Sequence, residues 1–245
     1  MKLIKTLNKL LAPMGRKLLR FAGVPFDLEP NEHAALVPIC HLRTYNLPDI
    51  QKHLLSLNAI DRYLRFGFAA TDEHIIHYVH SLNFDRDEIY GIFNRDLQLL
   101  AMAHLAACDQ TNPKEQKQIS VEFGVSVHAS ARGRGYGHQL FKRALMHARN
   151  ANAPTILIHA LSENAPMLKI ARKAGATLER EGGETQALLK VPKGNFKTRL
   201  AELFTDHYAQ TNYSIKEDVK NFWHFLKQVQ EIRHAVQAGR HQSAE

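Results

Sequence analysis

Cysteine, tryptophan and long apolar runs are scarce in this chain. Two cysteines, Cys40 and Cys108, stand among 245 residues, both inside apolar stretches. That excludes a disulfide framework and any zinc-type spacing of ligands, and it points to two buried thiols in a reducing compartment, the cytoplasm. No unbroken apolar run approaches the ~20 residues that a membrane span needs, and no secretory apolar region is read near the start. Repeats and low-complexity segments are absent. So is any Gly-Lys-Ser/Thr, which removes a nucleoside-triphosphate loop.

Acidic residues are missing from residues 1–26, which hold six basic side chains: Lys2, Lys5, Lys9, Arg16, Lys17 and Arg20. The net charge of +8 therefore belongs to an arm, because residues 27–194 carry 19 basic against 18 acidic residues. A nearly neutral centre argues against a nucleic-acid-binding face. Within the arm Leu3, Ile4, Leu7, Leu10, Leu11, Met14 and Leu18 form a helical stripe, divided near Pro13 and Gly15. The stripe is expected to dock on the protein's own core with its basic side in solvent. Binding to an anionic membrane surface is the less favoured reading.

What is present is concentrated in one stretch. Val121 to Val127 is rich in β-branched and aromatic residues and reads as a strand buried on both faces. A polar turn follows, with Gly133, Gly135 and Gly137 alternating. Then Leu140, Phe141, Ala144, Leu145 and Ala148 repeat at helical spacing. Strand, glycine turn and helix make an anion site: glycines admit close backbone approach, and the first N–H groups of the helix lack partners. Position 138 is His, so the dinucleotide pattern G-x-G-x-x-G is not met.

Around this stretch, residues 33–42 read as a strand, and Leu47–Leu57 and Thr71–Leu82 as helices, with Thr71 as an N-cap. Glu88–Phe93 and Leu97–Ala106 read as a hairpin turning at Asn94-Arg95-Asp96. A loop, Asp109–Gln118, leads into the central strand. Thr155–Leu161 reads as a buried strand, and Pro166 and Gly175 bracket a short helix. Thr185–Val191 is the closing strand. Residues 197–209 and 215–237 read as two helices. The organisation expected is an arm (1–26), a central domain (27–194) and a helical extension (195–245).

Two motifs carry a resemblance. Arg132-x-x-Gly135-x-Gly137, straight after a hydrophobic strand, resembles the acetyl-CoA signature of the GNAT N-acetyltransferases. The run from Leu161 to Gly175, with Asn164, Met167, Ile170 and Ala171, resembles the second signature of that family. Asp61-Arg62-Tyr63-Leu64-Arg65-Phe66 is similar to a segment that many GNAT proteins carry after the first helix; its arginines are expected to pair with surface carboxylates. The resemblance covers about residues 33–192 and is nearest to Pat-type bacterial protein lysine acetyltransferases.

The resemblance implies an α/β fold with a mixed, twisted central sheet whose two central strands splay apart. It implies acetyl-CoA as co-substrate, with backbone groups of Val125 and Val127 on the pantetheine and the turn Arg132, Gly133, Arg134, Gly135, Tyr136, Gly137 and His138 on the pyrophosphate. Asn164 is expected at the cofactor or as an N-cap. Glu122 is the candidate general base, being the acid nearest the glycine turn and, in a buried strand, costly unless it is paired or functional. Position 171 is Ala where many GNAT enzymes have the tyrosine that protonates the leaving thiolate, so Tyr136, His159, Ser162 or water is left for that step. The implied acceptor is an amine, a protein lysine or a small molecule. The alternative is a catalytically idle acyl-CoA-binding module.

Overall fold

The computed structural model describes residues 37–110 and 118–242. The basic arm, and residues 33–36 of the first expected strand, lie outside them. The elements are β1 (Cys40–His41), α1 (Leu47–Leu55), α2 (Ala59–Phe66), α3 (Asp72–His80), β2 (Glu88–Phe93), β3 (Leu99–Gln110) and β4 (Gln118–Val127). There follow α4 (Tyr136–Asn150), β5 (Thr155–Leu161), α5 (Ala165–Lys173), β6 (Thr177–Glu181), β7 (Glu184–Lys190) and α6 (Phe196–Gln242).

Local chemistry sets most of these boundaries. Thr71 caps α3, its hydroxyl accepting from the His74 N–H at 3.4 Å. Asn58 caps α2 by accepting from the Asp61 N–H at 2.9 Å, and Gly67 ends it at φ +81°, a conformation that suits glycine. In the β2–β3 turn the Asn94 side chain accepts from the N–H groups of Asp96 and Gln98, at 2.9 and 2.8 Å. α2 is a helix that the sequence reading did not assign.

The strands form one mixed sheet in the order β1-β2-β3-β4-β5-β7-β6. Every pairing is antiparallel except β4 with β5. That parallel pairing holds only at Val121↔Ile156 and Glu122↔Leu157. Beyond it β4 stays on β3 as far as Val127, and β5 stays on β7 as far as Leu161, so the two strands part. The sheet has a gap in its middle.

One face of the sheet is covered by α4 and α5, in a core that includes Tyr90, Phe123, Leu140, Phe141, Ile158 and Leu168. Phe123 and Phe141 meet edge to face, with centroids 5.0 Å apart. The other face is covered over β1–β3 by α1 and α3, through Leu42, Ile50, Leu54, Ile75, Val79 and Met102. β4 alternates accordingly. Val121 and Phe123 are buried, whereas Glu122 and Gly124 are only partly covered, so the strand is not buried on both faces as its composition suggested.

α6 is one continuous helix where two were expected. Asn195 starts it, accepting from the Thr198 N–H while the Thr198 hydroxyl accepts from the Asn195 N–H, each at 2.9 Å. Its first turns are fastened to α4 through buried charge. Arg143 donates to Glu202 at 2.8 Å and to Asp206 at 2.7 Å, and its guanidinium lies 4.5 Å from the Tyr90 ring centroid. Asn150 donates to the other Glu202 oxygen at 2.6 Å. Among the described residues no helix is long and apolar enough to cross a membrane.

Both cysteines are free. Cys40 is buried, and that burial pushes its thiol up to about 11. Cys108 is only partly buried, against expectation, because it stands on the face of β3 that Glu122 shares on β4.

Candidate active site

The gap between β4 and β5 opens into a cavity of about 810 Å³. The glycine turn and the N-terminus of α4 line one part of it, the diverging strands another, and α2 a third. Glu122, Val125, Val127, Arg132, Gly133, Gly135, Tyr136, Gly137, His138 and Asn164 all line it. Arg134 does not; it is exposed, and Nη2 reaches the Ser130 carbonyl at 3.4 Å.

The direction of the β4 backbone follows from one hydrogen bond. The His128 N–H donates to the Leu100 carbonyl on β3 at 2.8 Å, and the β3–β4 register runs without a break from there. N–H and C=O groups alternate between the two sides of a strand. Those of Val127, Val125 and Phe123 therefore point away from β3, with Val125 and Val127 facing the gap. These are unpaired main-chain groups at the mouth of a cleft, suited to an extended amide-bearing ligand.

The turn is built for an anion. Gly133 and Gly135 have φ +75° and +74°, and at neither would a Cβ meet any atom within 4 Å, so backbone conformation rather than space demands glycine. Gly137 has another reason: a Cβ there would come 3.3 Å from Ile170 on α5. The first main-chain bond into α4 runs from the Gln139 N–H to the Gly135 carbonyl. The N–H groups of Tyr136, Gly137 and His138 precede it and have no partner in the helix. Lys169 and Lys173 line the same region of the cavity, and burial, then Lys142 and Lys173, lower the His138 pKa. Positive potential thus gathers where the helix dipole is also positive.

Arg132 pairs with Asp61 of α2, which ties the turn across the cavity mouth. Asn164 is engaged at both ends. Its Oδ1 accepts from the Met167 N–H at 3.2 Å as the cap of α5, and its amide donates to the Leu64 carbonyl at 3.2 Å.

Glu122 lies across the gap from β5. Because it is in register with Leu157, the residue two further along β5 points to the same face, and that residue is His159. The two side chains meet at 3.3 Å, Glu122 41% exposed and His159 49%. The Gln186 amide donates to His159 Nε2 at 2.9 Å, so Nδ1 carries the proton that Glu122 Oε1 accepts. The Cys108 thiol reaches Oε2 at 4.0 Å. Glu122 is thus oriented but open, not a buried acid as its strand suggested: it faces the cavity between β4, β5 and α2.

Two further sequence readings change. Ser162 does not line the cavity: its hydroxyl is bonded to Thr185 at 2.9 Å and accepts from Arg180 at 3.1 Å, which removes it as a proton donor to a ligand there. Of the arginines on α2, Arg62 pairs with a carboxylate as expected, Asp72 at 2.6 Å, but Arg65 pairs with none among the described residues and lines the cavity instead. Ala171 is fully buried in the core, so nothing at that position faces a ligand.

A family model described as an acetyltransferase (GNAT) domain matches residues 40–177. The fold is similar to that of the GNAT domain of a PAT protein from S. lividans, with a TM-score of 0.52 and 16% identity, over 62% of this chain and 89% of that one. It is similar also to a structure from Acinetobacter baylyi ADP1, provisionally described as an acetyltransferase, with a TM-score of 0.51 and 16% identity, over 63% of this chain and 93% of that one.

Proposed function

From the premise that the chain belongs to the GNAT acetyltransferase family, we propose that it moves an acetyl group from acetyl-CoA to an amine, with Glu122 as general base. One observation carries this reading. The sheet gap begins immediately past Glu122↔Leu157, with the anion-binding turn at one side of the cavity and the Glu122–His159 pair on the other.

Each group then has a task. The free N–H groups of Tyr136, Gly137 and His138 hold the pyrophosphate. The gap-facing main chain of Val125 and Val127 holds the pantetheine amides. The Val125 N–H polarises the thioester carbonyl. An alkyl amine has a pKa near 10.4, so only about one in 2,500 is free base at neutral pH. Glu122 takes the amine proton, directly or through one water, as the N–C bond forms. His159 holds Oε1 of Glu122 and the Cys108 thiol reaches Oε2, so the carboxylate is oriented while the side chain stays 41% exposed toward the acceptor. As the C–S bond breaks, the thiolate takes a proton from Tyr136, His159 or water, and the products are an amide and free CoA.

The Pat-type likeness of the two motifs keeps a protein lysine among the acceptors, alongside small amines. The free thiols of Cys40 and Cys108 accord with a reducing compartment, and the cytoplasm is the location proposed.

Gly135→Asp tests the cofactor placement. The substitution sets a carboxylate against the pyrophosphate at a position whose φ of +74° already disfavours a side chain. Isothermal titration is expected to show acetyl-CoA binding to the wild type and its loss in the variant, with the ligand-free melting temperatures compared as a folding control. Equal affinity in both proteins would move the pyrophosphate elsewhere. No binding to wild type at millimolar acetyl-CoA would reject the reading outright.

A further inference from the structure

Arg65 is a charged group in the cavity that the transfer chemistry above leaves without a task. Its side chain passes from α2 across the cleft-facing side of β4, at Gly124. A Cβ on that glycine would stand 2.9 Å from Cζ and from both terminal nitrogens, so the guanidinium plane faces the strand. The Phe66 and Tyr78 ring centroids lie 5.3 and 5.4 Å from Cζ. Glycine at 124 is what admits an arginine here.

The guanidinium is held by a chain of hydrogen bonds with one direction. Arg65 Nη2 donates to the Tyr78 oxygen at 2.9 Å, and the Tyr78 hydroxyl donates to His104 Nδ1 at 2.8 Å. His104 Nε2 donates to Asp87 at 3.0 Å, and the other Asp87 oxygen accepts from the Ala107 N–H at 3.1 Å. Burial raises the Tyr78 pKa and lowers that of His104, which keeps both neutral and the chain intact at neutral pH. The positive charge at the cleft end is therefore preorganised.

Among the described residues it has no counter-ion of its own. The neighbouring carboxylates are engaged elsewhere: Asp61 by Arg132, Asp72 by Arg62, and Glu122 by a hydrogen bond from neutral His159. Among the described residues Arg65 donates to the neutral Tyr78, and its Nε is buried with no acceptor. Withdrawing a guanidinium from water without a carboxylate is costly, and its planar fork is matched best by a carboxylate held bidentately. Gly124 is two residues from Glu122 on the same face of β4, about 7 Å along the strand. An amine and a carboxylate on one small molecule can reach both.

We propose that Arg65 anchors a carboxylate of the acceptor, so that the enzyme acetylates a small amino-carboxylate, with its amine at Glu122 and its carboxylate on the Arg65 fork. This rests on the transfer reading above. It also disfavours polyamines, whose second cation would face Arg65.

The test uses the full chain at saturating acetyl-CoA with matched acceptors that differ by the carboxylate: free lysine against cadaverine, ornithine against putrescine, and β-alanine against ethylamine. Lysine-containing peptides, amidated at the C-terminus and free of acidic residues, serve as a further arm. Thiol release gives kcat and KM, and titration of each acceptor into the CoA complex gives affinity. The carboxylate-bearing member of at least one pair is expected to be preferred by tenfold or more in kcat/KM. Arg65→Met is expected to erase that preference through KM while acetyl-CoA affinity stays unchanged; Arg65→Lys, which keeps the charge but not the fork, should restore part of it. Gly124→Ala should weaken carboxylate binding with Arg65 still present, by displacing the guanidinium. Equal use of the decarboxylated partners, a preference that survives Arg65→Met, or turnover of the peptides alone would overturn the proposal. If acetyl-CoA binds but no amine of any class is acetylated, the transfer reading itself fails and this inference falls with it. Melting temperatures and acetyl-CoA titrations of the variants separate loss of fold from loss of recognition.

Discussion

Glu122→Gln is expected to slow acetyl transfer by about 100-fold or more while acetyl-CoA affinity stays near wild type. The amide keeps the shape of the side chain, and its oxygen can still accept the His159 proton that Glu122 Oε1 accepts at 3.3 Å. What it loses is basicity. Since the acceptor amine is overwhelmingly protonated at neutral pH, loss of the base falls on the chemical step and not on binding. A pH–rate profile distinguishes this from a structural role. The wild type should show an acidic limb, and the variant should lose that limb and recover only as alkaline pH itself frees the amine. Melting should change little, because the carboxylate is 41% exposed and pays little for its place. A variant that keeps most of its rate at every pH would assign Glu122 to structure alone.

The second large effect concerns α6. Glu202→Ala is expected to destabilise the protein by about 3–5 kcal/mol, the usual consequence of removing one partner from a buried ion pair. The Arg143 side chain is only 4% exposed, so after the substitution its charge keeps Asp206 alone; His147 and Asn150 lose an acceptor as well. Burial works to raise the Glu202 pKa, but bonds from His147 and Asn150 and the charge of Arg143 outweigh it and hold the group at about 2. The sign follows. A depressed carboxyl contributes stability that is complete above its ordinary value of 4.5 and is lost as pH falls toward 2. Chemical denaturation across that window should show the wild type losing stability and Glu202→Ala, already weakened at neutral pH, losing less. Equal neutral-pH midpoints for the two proteins would mean that the α4–α6 contact contributes nothing to the fold.

The local signals of the fold were legible where sequence neighbours create them. Thr155–Leu161 is one apolar run and forms β5 with the same limits; Thr71 caps its helix, and Asn94 closes its turn. Other signals are also present in the sequence. Asn58 and Gly67 bracket α2, and no glycine or proline interrupts residues 195–238, which is why α6 runs unbroken. β6 was not readable, because Thr177-Leu178-Glu179-Arg180-Glu181 is an exposed edge strand with no apolar alternation strong enough to mark it.

The candidate site divides the same way. Its anion turn lies in one continuous stretch, and its glycines announce backbone needs. The pairing of Glu122 with His159 depends on a two-residue parallel register between strands far apart in sequence, and the seat of Arg65 depends on Gly124 lying beneath α2. Contacts of that kind follow from tertiary packing, and no spacing encodes them. The exposure of Glu122 has a similar origin, since it reflects the cavity left between β4, β5 and α2.

The most direct test of the central claim is amine-dependent release of free thiol from acetyl-CoA by the full chain, with the acylated product identified by mass spectrometry. The expected result is thiol released in step with one N-acetyl product per turnover, abolished at subsaturating acetyl-CoA by Gly135→Asp and reduced about 100-fold by Glu122→Gln. Thiol release that no amine raises above background hydrolysis, from a protein that binds acetyl-CoA, would contradict it and leave a CoA-binding module in place of an enzyme.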